Sequence, residues 1–174
     1  MSLFANSQID INELPKVETV DLKPIEPKYF IIILVNTLIA YIIPIIAIII
    51  IRDFAEQDAD IKNAFWYLIS IICFFCFITI LINYLGFKKR KYAMREKDIT
   101  YSHGYLINNT ITLPYNRIQH IEIARSFLAR KLGLSTLKIY SAGQSGGDIA
   151  IKGLPKDIAD AQYAFLIKLI NERS

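Results

Sequence analysis

Hydrophobic and polar positions change pattern along the chain, and each pattern predicts a different kind of element. From Tyr29 to Ile51 there are 23 consecutive uncharged, mostly aliphatic residues, and from Ala64 to Phe87 another 24. At about 1.5 Å per residue each run exceeds the roughly 30 Å hydrocarbon core of a bilayer. They predict two membrane-spanning helices, 29–51 and 64–87, joined by a short loop at 52–63. Residues 1–28 are polar and carry Pro15, Pro24 and Pro27. Ser7 and Asp10 there resemble a helix-capping pair. Val20 and Leu22 alternate with charged residues like a short extended piece, and Ile9, Ile11 and Leu14 are apolar positions available for docking.

After Phe87 the period shortens to two. Tyr92–Arg95, Ile99–Ser102, Tyr105–Ile107, Thr110–Leu113, Ile118–Ile123, Leu137–Tyr140 and Ile149–Ile151 read as about seven short strands. Glu96-Lys97 suits a tight turn, His103-Gly104 a bend or bulge, and Asn108-Asn109 a hairpin tip. Ile118, His120 and Glu122 alternate against Gln119, Ile121 and Ile123, which gives that strand two faces. Ser126 as N-cap and Gly133 just past the end bracket a short helix, 127–132. Pro155 opens a final helix to about Asn171, with Ile158, Ala161, Phe165 and Leu169 on one apolar face. The predicted fold class is α+β: a two-helix transmembrane hairpin, then a bent antiparallel β-barrel of about seven strands capped by the C-terminal α-helix. Three parts follow: an N-terminal segment 1–28, the hairpin 29–87, and a domain 88–174.

Charge supplies the sidedness. The net +4 of the 174 residues is unevenly spread: residues 1–28 and the connector 52–63 each carry −2, and 88–174 carries +8. Lys88-Lys89-Arg90-Lys91 follows the second apolar run directly, and Lys28 flanks the first. Basic residues beside a span stay on the cytoplasmic side, so both termini are expected there. The first run starts too late and is too long for a cleaved signal peptide. Neither span holds an ionisable group; their polar residues are Asn36, Thr37, Ser70, Thr79 and Asn83, with Pro44 expected to kink the first. Without a charged relay the spans read as an anchor rather than a transport path. Trp66, Tyr67 and Tyr84 fit an interfacial aromatic belt. Asn36 and Thr37 are candidates for an interhelical hydrogen bond of about 1 kcal/mol. Cys73 and Cys76 match C-x-x-C but sit inside an apolar span, where nothing favours the thiolate.

Four runs in the C-terminal part carry a resemblance: Pro114-Tyr115-Asn116-Arg117-Ile118-Gln119-His120-Ile121, Arg130-Lys131-Leu132-Gly133, Ala142-Gly143-Gln144-Ser145-Gly146-Gly147 and Gly153-Leu154-Pro155. In this order they closely resemble the bacterial pleckstrin-homology (PH) domain, over about Tyr92 to Ile170. Preceded by two apolar helices, the chain looks like the YdbS-like, membrane-anchored type. The resemblance implies a seven-strand barrel with a capping helix, no established catalytic residues, and a place in the bacterial inner membrane. It also implies a role in envelope stress or antimicrobial-peptide tolerance, beside a larger partner with several such domains.

The residues offer little competing chemistry. Gly143-Gln144-Ser145-Gly146-Gly147 matches G-x-S-x-G, but that chemistry needs a strand–turn–helix setting and a downstream histidine, and His103 and His120 both precede it. Neither histidine has a carboxylate or cysteine neighbour at ligand spacing, so no metal, cofactor or catalytic residue is expected. Nucleic-acid binding lacks a groove-reading helix. The Glu96-Lys97 turn is too short and too mixed in charge for a phosphoinositide cradle. Two basic groups remain: Lys88, Lys89, Arg90 and Lys91 as contacts to anionic lipid, and Arg117, Arg125, Arg130 and Lys131 as a patch for a partner. The expected function is a non-enzymatic, membrane-anchored interaction module that assembles with itself or with a multi-PH partner. The alternative is an anionic-lipid sensor.

Overall fold

The computed structural model describes residues 21–54, 59–105, 107–141 and 149–172, with backbone alone for 59–62. The elements run β1 (Lys23–Pro24), α1 (Tyr29–Phe54), α2 (Ala59–Lys88), β2 (Lys91–Met94), β3 (Asp98–His103), β4 (Asn109–Pro114), a 3-10 turn (Tyr115–Arg117), β5 (Ile118–Ala124), α3 (Phe127–Lys131), β6 (Leu134–Ser141), β7 (Ile149–Pro155) and α4 (Lys156–Asn171). The Ser7/Asp10 pair, Ile9, Ile11, Leu14, Val20 and the glycine-rich run 142–147 lie outside the described residues.

Both apolar runs are helical: α1 begins at Tyr29 as predicted and runs on to Phe54, and α2 extends past both predicted ends. α1 continues through Pro44, although proline supplies no N–H to the preceding turn. The helices meet along a polar seam: Asn83 Nδ2 donates to Thr37 Oγ1 at 3.4 Å, and the Tyr41 and Thr79 hydroxyls are 2.7 Å apart. The Phe30 ring meets Tyr84 edge-on at 5.3 Å. Thr37 thus faces α2 as expected. Asn36 does not; it lines a groove against the domain with Ser126 and Lys138, because adjacent helical residues point about 100° apart.

The strands form two antiparallel sheets, ordered β1-β2-β3-β4 and β5-β6-β7. About seven strands were expected and seven occur among the described residues, but one is different. The expected strand at 105–107 is not seen at its described residues, Tyr105 and Ile107, since β3 runs on to His103 and pairs it with Asn109. The seventh strand is β1, contributed from ahead of the helices and paired Lys23 with Tyr92 and Pro24 with Lys91. Strand β5 also departs from simple alternation. Ile118 pairs with Ser141 and His120 with Tyr140, leaving Gln119 as a bulge. The extra residue shifts the pattern by one, so Ile118 and Ile121 are both buried while His120 is exposed.

Ile99, Leu137, Ile139, Ile151 and Leu154 form the fully buried centre, closed by α4. The face that α4 buries is only partly the predicted one: Leu169 packs against the core as expected, but the rest of the face is shifted. Ala159 and Leu166 are buried and Tyr163 and Ile170 pack beside them, whereas Ile158, Ala161 and Phe165 are exposed. Small Ala159 lets the helix approach the sheets closely, and the stripe rotates by about one residue to use it. Phe165, 45% exposed, meets the Tyr115 ring in a T-shaped pair with centroids 5.9 Å apart. The short helix α3 is capped as its sequence requires: Ser126 Oγ accepts from Ala129 N, and Gly133 follows with φ +68.

Candidate functional site

The helices and the domain meet at a junction built from sequence-distant pieces. α2 ends where the Lys89 and Arg90 amides donate to the carbonyls of Gly86 and Phe87, and β2 starts one residue later. From the other side, the segment before α1 bridges the two sheets. Ile25 N donates to Arg90 O at 3.4 Å, and Glu26 N donates to Gly153 O of β7 at 3.0 Å. Ile25 is buried in the core. Tyr29, at the start of α1, covers Gly153 so closely that a Cβ there would stand 2.7 Å from the tyrosine's Cβ and Cγ. Three residues on, Ile32 is buried against Ala129 and Leu134. The chain is therefore fastened to the domain on both sides of the helix pair.

The first group of predicted site residues divides at this junction. Lys88, Lys89 and Lys91 are exposed, Lys88 lying over the Tyr84 ring at 4.5 Å. Arg90 turns inward, its guanidinium 5.8 Å from the centre of the Tyr29 ring. There it joins Tyr101, His103 and Lys152 in lining a cleft of about 260 Å3 between β3, β4 and β7. His103 stacks on Tyr101 at 5.0 Å, and its Nδ1 is buried without a hydrogen-bond partner among the described residues. Burial pushes the Tyr101 phenol above its ordinary 10.0, against the opposing pull of the Arg90 charge. Two cations, an imidazole and a phenol around one opening can hold a phosphate-sized anion by charge-assisted hydrogen bonds. The sequence did not single out Lys152, and it read His103 as structural. The three basic residues are far apart in sequence and meet only where the end of β3, the start of β2 and strand β7 of the other sheet face one cleft.

The second group does not form one patch. Arg117 and Arg125 stand at opposite ends of β5. Arg125 is engaged: its Nη2 donates to Asp160 Oδ1 of α4, and its Nε donates to the buried Ser135 hydroxyl at 2.9 Å. Arg130 and Lys131 are exposed on α3, with Lys131 Nζ 4.8 Å from the centre of the Phe127 ring. Arg130 shares a shallow hollow with Arg125 and Lys156. On the outer face of the second sheet Glu122 accepts from Lys138 and Tyr140, which holds its carboxyl below the usual range. Cys73 and Cys76 are free thiols on α2. No group of three or more metal-ligating side chains occurs among the described residues.

α1 and residues 63–88 of α2 are long and apolar enough to cross a membrane, and the protein itself covers almost none of their surface. Two such helices joined to two small antiparallel sheets and a capping C-terminal helix define a PH-like protein with membrane-helix character. The model of the bacterial PH domain family matches residues 28–173, and the chain belongs to that family. The match takes in both apolar helices as well as the domain. No curated protein and no solved structure matches the chain.

Proposed function

We propose that this chain is a non-enzymatic interaction module that its own two helices hold on the inner membrane of a bacterium. Both termini lie on the cytoplasmic side, and the PH domain assembles there with itself or with a multi-PH partner. The observation that carries this reading is the double attachment. Strand β1 and the 25–26 bridge enter the domain before the helices, and β2 enters it after them. A domain tied at both sides of a hairpin keeps one orientation to the bilayer, and confinement raises its effective concentration toward other anchored proteins. Crosslinking the full chain in its native membrane, with mass spectrometry of the adducts, tests it. A discrete partner or a ladder of homo-oligomers supports assembly; monomer alone contradicts it. A role in envelope stress predicts that a deletion strain is more sensitive to cationic antimicrobial peptides.

A second reading, sensing of anionic lipid, draws on the Arg90–His103–Lys152 cleft. In nanodiscs of mixed lipid, native mass spectrometry would then find anionic phospholipid retained by the full chain. The Arg90→Gln/Lys152→Gln pair would lose that retention. Equal retention by both forms would set this reading aside.

A further inference from the structure

Two contacts fix the height of the domain along the helix pair. At the connector end the Arg52 guanidinium lies 5.0 Å from the centre of the Trp66 ring, so these residues share a level. About 20 residues back along α1, roughly 30 Å of helix, is Ile32; the same distance forward along α2 is Gly86. That length matches the hydrocarbon thickness of a bilayer. Ile32 is the residue that α1 buries against Ala129 of α3. Gly86 is where the β3–β4 connection touches α2, since a Cβ there would lie 3.7 Å from Tyr105 Cβ. α3 and Tyr105 thus lie at the level where the hydrocarbon would end, one against each helix.

The antiparallel order agrees. β2 leaves the helices, so the β3–β4 connection and the β5–α3–β6 link return to the helix end, while the β2–β3 turn lies at the opposite end. Both returning segments expose large apolar side chains: Ile107 is 75% exposed, Phe127 62% and Tyr105 44%. Neither 104–108 nor 125–133 contains an acidic residue. Exposed Arg130 and Lys131 belong to the second segment, Lys131 directly against Phe127, and exposed Lys88 and Lys89 follow closely after Gly86, which Tyr105 approaches. Apolar tips flanked by cations complement the anionic surface of a cytoplasmic leaflet.

We propose that α3 and the β3–β4 connection are two membrane-surface contacts, which place Phe127, Tyr105 and Ile107 in the headgroup region of the bilayer that the helices span. The proposal rests on the membrane-spanning reading of α1 and α2. Its occupant is the lipid surface, and its residues are distinct from those of the cleft. The test uses the full chain with Cys73→Ala and Cys76→Ala, reconstituted in vesicles of phosphatidylethanolamine and phosphatidylglycerol. Nitroxides are attached singly at Ile107→Cys, Phe127→Cys, Ile43→Cys in the middle of α1, and Glu96→Cys in the β2–β3 turn. The ratio of oxygen to nickel-complex accessibility is expected to be several-fold higher at 107 and 127 than at 96, and highest at 43. A ratio at 107 or 127 equal to that at 96, with 43 still immersed, overturns that contact while leaving the spanning reading intact. A water-exposed label at 43 overturns both.

Discussion

Gly153 shows how one residue couples the domain to the helix pair. Its φ of +79 lies in the left-handed region, and the Tyr29 ring occupies the space a side chain would need. Gly153→Ala therefore meets backbone strain of about 1–2 kcal/mol and a clash with the base of α1. The variant should unfold at lower temperature than the parent in detergent, and Tyr29→Ala should relieve part of the loss. Gly153-Leu154-Pro155 is visible as a motif in the sequence, but the aromatic ring that makes the glycine necessary is 124 residues away. Basic residues are likewise indistinguishable in sequence: Arg125 is spent on Asp160 and Ser135, whereas Arg130 and Lys131 stay open. The phenols of Tyr92, Tyr101 and Tyr115 are all pushed above 10.0, chiefly by burial. A raised folded-state pKa means that the unfolded chain ionises first as pH rises. Stability should hold up to about pH 10 and fall above it, and Tyr101→Phe should flatten that fall in thermal melts taken across alkaline pH.

At the scale of elements, the long apolar helices were legible because length and composition alone define them. Most strands were legible from their period of two. What failed were positions where one residue alters the phase. The Gln119 bulge turns His120 outward and brings Ile121 in, and no residue type at 118–121 announces it. In α4 two apolar stripes lie side by side, and spacing favours 158/161/165/169 as readily as 159/163/166/170. Packing against the sheets buries chiefly the second, with Leu169 of the first packed beside it, since Ala159 permits the close approach. The choice can be checked by thermal unfolding of the full chain. Leu166→Ala should cost about 2–5 kcal/mol, as for other fully buried leucines. Phe165→Ala, which removes a half-exposed ring, should cost clearly less. Equal losses would restore the sequence-based face.

For the whole molecule, the PH-like class was readable from four short runs in order, but the architecture of the junction was not. It depends on residues 23–26, a stretch too short for any period, meeting β2 and β7 across the helix hairpin. The cleft of Arg90, His103 and Lys152 was hidden for the same reason, as its members come from two different sheets and converge only in the packed fold. The proposed account is that the hairpin crosses the membrane and holds the PH domain against its cytoplasmic face. Cysteine labelling in intact cells tests that account most directly. Phe54→Cys, beside the connector, and Glu96→Cys, in the domain, are each placed in the Cys73→Ala/Cys76→Ala background and exposed to a membrane-impermeant maleimide after outer-membrane permeabilisation. Position 54 should label in intact cells and position 96 only after lysis. Labelling of both positions from the same side would contradict the account.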